Sequence, residues 1–146
     1  MGARDERRRG GGVCHRRQVV KLLLDTHVLL WAVSDPVRLS AKARQAIVDP
    51  ENELLASHVS LWELVIKSQA APGSLPDLAT IESDFEQAGV REWVPIQPSH
   101  IFGITQLPAL HRDPFDRLLI AQARHEGLTL VTRDPFIHDY AVSVIW

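Results

Sequence analysis

The sequence predicts an α/β fold of three layers, α/β/α, with a mainly parallel central sheet, and three observations carry that expectation. A nearly continuous apolar run, residues 19–24 (VVKLLL), stops on an acid, as a strand buried on both faces does. Beyond it, segments with apolar residues at helical spacing alternate with further short apolar runs to the end of the chain. Residues 113–127 (DPFDRLLIAQARHEG) carry helix punctuation at both ends and lead directly into LTLVT, a helix followed by a strand. No internal repeat or second domain breaks the alternation, and 146 residues are enough to bury one core. Residues 19–146 are therefore read as one domain.

Taken in order, VVKLLL is the first strand, and Thr26 is expected to cap a helix running to about Val33, where Asp35-Pro36 stops it. Ser40 caps a second helix, AKARQAIV, ended by Asp49-Pro50, and ELLAS (53–57) is the second strand. In SHVSLWELVIKSQ, Val59, Trp62, Val65 and Ile66 recur at helical spacing, and Ser60-x-x-Glu63 fits a capping box. APGSLPD breaks that helix; LATIESDFEQAG reads as another, with Gly89 as its stop, and VREWVPI as a short strand. Ser99 is expected to start a helix over HIFGITQL, followed by the loop PALHR. In residues 113–127, Asp113 is the cap, Pro114 the first helical position, Leu118, Leu119, Ala121 and Ala123 the interior, and Gly127 the stop. LTLVT is a strand, DPFIHDY a turn with room for one helical turn, and AVSVIW the closing strand.

Composition excludes several classes. The chain is 45% hydrophobic and 23% charged with a formal charge of -2, so no bulk charge points to a nucleic-acid partner. Residues 1–18 hold six Arg against Asp5 and Glu6, a net of +4, which leaves -6 for the remainder. Rich in Arg and Gly and poor in apolar residues, this basic tail is expected to be disordered. Lys21, Asp25 and His27 interrupt the first apolar block, so it makes neither a secretory signal nor the run of ~20 apolar residues a membrane helix needs. The cytoplasm is the expected location. Cys14 is the sole cysteine, which excludes an intramolecular disulfide and a cysteine-based zinc cluster.

Acids gather where the elements meet. Asp25 follows the first strand, Glu63 lies early in the helix after the second, and Asp134 lies two residues past LTLVT. Asp116 is in the first turn of a helix that runs back to LTLVT and so begins where that strand ends. All four fall at the carboxyl ends of the strands, where open α/β sheets bind ligands. Carboxylates so placed repel one another unless a cation neutralises them, and oxygen ligands alone select a hard ion, Mg²⁺ or Mn²⁺. Such a site supports hydrolysis of a phosphodiester, with Lys67, Arg112, Arg117 and Arg133 near enough in sequence to hold flanking phosphates.

Each acid has a structural reading too. Glu63 fits a capping box, Asp113 a cap, Asp116 a first-turn charge, and Asp134-Pro135 a turn opener, whereas nothing about ending a strand demands Asp25. His27, His58 and His111 lie near the acids but form no H-x-x-x-H pair, so packing or surface roles are the simpler reading. Trp31 and Trp62 read as core or dimer contacts, not as base-stacking platforms. Ser57 and Ser60 lack a nucleophile-elbow pattern, and there is no Gly-rich phosphate loop.

The blocks LLLDTHVLLW, SLWELVIK, DPFDRLLIAQA and LVTRDPFI, in this order and at these separations, resemble the PIN-domain nucleases, and among them the VapC-type toxins of type II toxin-antitoxin pairs. The resemblance spans residues 19–146 and implies a PIN-like domain with Mg²⁺- or Mn²⁺-dependent endoribonuclease activity, usually dimeric and held inactive by a cognate antitoxin protein. It implies Asp25, Glu63, Asp116 and Asp134 as the catalytic acids, with Asp25, Asp116 and Asp134 on the metal. Thr26 and Thr132 match hydroxyl positions beside them, and Asp113 is a further acid of the DPFD pattern. The tail before residue 19 departs from the family, which normally starts almost at the first strand. A haloacid-dehalogenase-type phosphatase also begins with a strand ending in Asp, but it needs a second acid where this chain has His27. The remaining alternatives are a PIN nuclease outside a toxin-antitoxin pair and an inactive PIN-like module that binds RNA or protein; loss of an acid would mark the latter, and all four are present.

Overall fold

The computed structural model describes residues 19–146; the basic tail expected at 1–18 lies outside the described residues. The elements are β1 (Lys21–Leu24), α1 (Thr26–Ser34), α2 (Ala41–Val48), β2 (Glu53–Ser57), α3 (His58–Ala70), α4 (Ile81–Gln87), β3 (Val90–Val94), α5 (Pro98–Gly103), α6 (Pro114–Glu126), β4 (Thr129–Val131) and β5 (Val144–Ile145). Short 3₁₀ turns at Pro36–Arg38, Ile104–Gln106 and Ile137–Asp139 fill three of the connections.

The five strands form one sheet in the order β3-β2-β1-β4-β5, and every pairing is parallel. β1 is central, which explains why its sequence is apolar throughout instead of alternating. Leu22 and Leu24 pack with Val28, Leu29, Ala43 and Phe85, while Leu23 packs on the opposite face with Leu119, Ile120 and Ile137. All three leucines are buried, so truncating one to Ala should cost about 2–5 kcal/mol. The chain steps outward from β1 to β2 and β3, then crosses back to β4 on the other side of β1. That reversal leaves a crevice at the carboxyl ends of β1 and β4.

Several local expectations change. Asp25, not Thr26, is the N-cap of α1, because its side chain accepts the Val28 N–H at 2.9 Å. The strand-ending acid therefore has a structural duty that the strand alone does not suggest. α3 begins at His58 with Ser57 as its cap, so the Ser60–Glu63 capping box does not form. α4 is shorter than expected, since Asp77 Oδ1 accepts the Ala79 N–H at 2.9 Å and holds the preceding residues in a turn. α5 starts at Pro98 instead of Ser99 and gives way to a 3₁₀ turn at Ile104. Between β2 and β3 the register slips at Leu54/Leu55, which turns Val90 to one face of the sheet and Val94 to the other. Gly89, at φ 115°, makes that entry, and a Cβ there would lie 3.1 Å from Leu54 Cδ1. α6 is bounded as expected, capped by Asp113 and ended by Gly127 at φ 66°.

Candidate metal centre at the carboxyl ends of the strands

Asp25 leaves β1 with its N–H on the Val131 carbonyl at 3.1 Å, so the ends of β1 and β4 hold it at the crevice. It is 6% exposed. Burial pushes its carboxyl pKa above the ordinary value against hydrogen bonds from Thr132 and Val28 and the charge of His27, and nearby Glu63 pushes it further. Next to it, the Thr26 hydroxyl donates to Ser60 Oγ at 3.0 Å, joining α1 to α3 with both groups buried.

Glu63, on α3, is 3% exposed and stands near enough to Asp25 and Asp116 to raise both carboxyls. Its Oε1 lies 3.4 Å from Lys67 Nζ, one helical turn on, but its buried Oε2 has no hydrogen-bond partner among the described residues. A buried carboxylate oxygen left without a donor is costly, and a bound cation would offset that cost.

Asp116 enters from the first turn of α6. Burial, the charges of Asp113, Asp25 and Glu63, and the opposing effect of His111 together hold its carboxyl at a pKa of about 7. Asp134 follows β4: its N–H donates to Thr132 Oγ1 at 3.1 Å and its Oδ1 accepts the Phe136 N–H at 2.9 Å. Asp113 is the α6 cap, accepting from Phe115 N–H at 2.9 Å and Asp116 N–H at 3.5 Å, and it remains close enough to raise Asp116.

His111, for which spacing offered only a weak signal, is part of the centre. Its Nε2 is 2.7 Å from Asp134 Oδ2 and 3.1 Å from Asp116 Oδ2. These contacts cross 23 residues in one case and five in the other, so no local motif announces them. Ser60 was likewise missed as a partner, because its contact with Thr26 spans 34 residues.

Asp25, His27, Trp31, Asp116, Arg133, Asp134 and Pro135 line a cleft of about 330 Å³. Trp31 is thus on the wall of the cleft, with the Arg133 guanidinium 6.0 Å from its ring centroid. Of the four basic residues singled out, Arg133 lines the cleft, Lys67 pairs with Glu63, and Arg112 is exposed. Arg117 turns away: its terminal nitrogen donates to the Ile104 carbonyl at 3.4 Å. A larger hollow of about 740 Å³ lies among Val19, Asp49, Glu53, Gly89 and Arg91 at the amino ends of β1 and β2, but the ligating atoms converge elsewhere. Among the described residues, the group able to hold a metal is His111, Asp116 and Asp134, whose ligating atoms lie within 4.8 Å of one another. The acid excess, the orphaned Glu63 oxygen and the carboxylate donors beside it fit a hard divalent cation.

Comparison with known proteins agrees with this geometry. The family model described as PIN domain matches residues 22–142. Ribonuclease VapC22 of Mycobacterium tuberculosis is 34% identical over 116 residues, covering 77% of this chain and 86% of that protein. The fold matches the crystal structure of VapBC2 from Rickettsia felis bound to a DNA fragment from their promoter, with a TM-score of 0.63 and 16% identity over 86% of this chain and 97% of that one. It also matches VapBC-5 of Mycobacterium tuberculosis, a member of the VapBC family of toxin-antitoxin systems, with a TM-score of 0.55 and 22% identity over 86% of this chain and 95% of that one. At such identities the two structures speak for the fold, while the family model and the closer sequence relative decide membership: the chain belongs to the PIN domain family.

Proposed function

We propose that the protein is a Mg²⁺- or Mn²⁺-dependent endoribonuclease that serves as the toxin of a toxin-antitoxin pair in the cytoplasm. The observation that carries this reading is the gathering of Asp25, Asp116 and Asp134 on one cleft of a PIN domain, with Glu63 near enough to raise Asp25 and Asp116 and its buried Oε2 unpartnered among the described residues. The relative named as a ribonuclease supports RNA as the substrate. The VapBC structures support an antitoxin partner.

In this reading Asp25, Asp116 and Asp134 hold the ion and Glu63 completes the acidic wall. Held there, a divalent ion would supply water activation, phosphate orientation and charge neutralisation for phosphodiester cleavage. The chain's own residues prepare that step. Thr132 and the Val28 N–H fix the Asp25 carboxylate, and the Thr26–Ser60 contact ties α1 to α3 beside it. Arg133, exposed on the rim, meets a neighbouring phosphate, and Lys67 offsets the charge of Glu63. Trp62, Val65 and Ile66 of α3 are exposed, and Phe115 of α6 lies edge-on to Trp62 with ring centroids 4.9 Å apart. An apolar surface of this kind supports burial against another chain, and a homodimer is the expected assembly.

Purified protein should cut RNA with Mg²⁺ or Mn²⁺ and stop when EDTA is added. Expression should arrest growth, and co-expression of the gene for its antitoxin should relieve the arrest. An RNA-cleaving protein without toxicity would move the reading to a PIN nuclease outside such a pair.

A further inference from the structure

We infer that His111 is a positioning residue of the acidic centre, a fixed Nε2–H donor that holds Asp116 and Asp134 together without itself binding the metal. The inference rests on the metal-dependent reading above.

The ring is oriented from several sides. The Asp113 backbone N–H donates to His111 Nδ1 at 3.0 Å, the His111 backbone N–H donates to the Tyr140 hydroxyl at 2.8 Å, and the Phe136 ring lies edge-on with centroids 6.0 Å apart. Tyr140 is buried, so the loop carrying His111 is anchored to the segment that follows β4. An imidazole that accepts on Nδ1 carries its proton on Nε2. That proton is shared with Asp134 Oδ2, 2.7 Å from the nitrogen, while Asp116 Oδ2 lies 3.1 Å from the same nitrogen as a close charge contact. A protonated nitrogen has no lone pair for a cation. To become a ligand the ring would have to move its proton to Nδ1, where it would confront the Asp113 N–H with a second donor. Although its atoms are spaced as a ligand's would be, the hydrogen-bond pattern assigns His111 the other role.

Such a donor matters because the two carboxylates come from different elements and repel. Asp116 rides on α6 and Asp134 on the turn after β4, and the ring bridges them. With the bridge in place the pair is gathered before an ion arrives; without it, the ion must do the gathering. Groups that orient metal ligands typically change affinity by about 10- to 100-fold when removed.

The test is Mn²⁺ titration of the full chain by calorimetry, comparing wild type with His111→Ala and His111→Gln, each first checked for a thermal transition in EDTA. Gln places a donor near the Nε2 position. The inference expects His111→Ala to lose about 10- to 100-fold in Mn²⁺ affinity and His111→Gln to recover much of it. Equal affinity in wild type and His111→Ala overturns the inference and leaves the metal-dependent reading standing; no Mn²⁺ binding by wild type overturns both. Should His111→Ala fail to fold, Tyr140→Phe, which removes the hydroxyl that anchors the loop, is expected to show a smaller loss in the same direction. NMR of nitrogen-labelled histidine separates donor from ligand: the Nε2–H tautomer should persist in saturating Mg²⁺, and conversion to Nδ1–H would overturn the inference.

Discussion

The two ends of α6 use the same device to different effect. Near its N-terminus His111 accepts the Asp113 N–H on Nδ1, and beside its C-terminus His100 accepts the Gln97 N–H on Nδ1 at 3.1 Å. Each ring then turns Nε2 to a carboxylate. At the far end the partner is Glu126, 2.8 Å away and 40% exposed, and one ring meets one acid. At the near end the ring meets two acids, while Asp25, Glu63 and Asp113 add charge that, among the described residues, a direct ion pair offsets only at Glu63, through Lys67. The far end is a balanced clip between α5 and α6. The near end has more negative charge than its own partners satisfy, and that surplus, not the histidine motif, makes it the candidate site.

Substitutions at the two ends should therefore separate activity from stability. Asp116→Asn and Asp25→Asn should each lower RNA cleavage by on the order of 10⁴-fold, the scale expected when one member of a catalytic unit is lost. Both should stay folded, because Asn keeps the Asp25 cap and neither change adds volume. Glu126→Gln at the far end should leave cleavage intact and cost about 1 kcal/mol or less, since its hydrogen bond to His100 is partly open to solvent. Comparable losses of cleavage at both ends would erase the distinction.

A saturating divalent ion gives the next largest effect. A ligand at a hundred times its dissociation constant stabilises the native state by about 2.7 kcal/mol, so Mn²⁺ should raise the melting temperature by several degrees in wild type and Glu126→Gln but hardly at all in Asp116→Asn. A smaller effect distinguishes the two acids of the DPFD segment. Asp113→Ala should cost about 1 kcal/mol of stability, while Asp113→Asn keeps the cap and much of the activity. If Asp113→Asn melts like wild type yet is as inactive as Asp116→Asn, Asp113 belongs to the catalytic set.

Much of this arrangement can be read from the chain, and the limits have a physical cause. Strands, helices and their caps are local, so β1, α6, the Asp113 cap and the Gly127 stop follow from neighbouring residues. The rim position of the acids also follows, since each is tied to the end of its own strand or helix. The strand order depends on which crossover follows β3, and no short segment encodes that. The same holds for His111 with Asp134 and for Thr26 with Ser60, which meet only after the sheet has formed. The structural share of Asp25 escapes a sequence reading because its cap contact falls one residue before Thr26, the cap expected from the sequence. Arg117 was grouped with the phosphate contacts by sequence proximity, but α6 rotates it toward Ile104.

A separate expected effect is a pH slope in the metal-free protein. With a folded pKa of about 7 against an ordinary 3.8, Asp116 holds a proton in the native state that the unfolded chain has already released across that window. Its contribution is complete below the unfolded value and is lost as pH rises to about 7. The raised Asp25 adds in the same direction. Thermal melts in EDTA should thus fall from the acidic to the neutral side of this window, and Asp116→Asn should flatten the fall. A slope unchanged by Asp116→Asn would assign it to other groups.

The central claim is that the surplus of acid at the N-terminal end of α6 is a divalent-ion site for cutting RNA. Its most direct measurement is the cleavage rate of an RNA by EDTA-stripped protein before and after Mg²⁺ is restored, in wild type and Asp116→Asn side by side. The expected result is no cleavage by either protein in EDTA and recovery with Mg²⁺ in wild type alone. Wild-type cleavage at full rate in EDTA, or equal Mg²⁺-dependent recovery by Asp116→Asn, would contradict the claim.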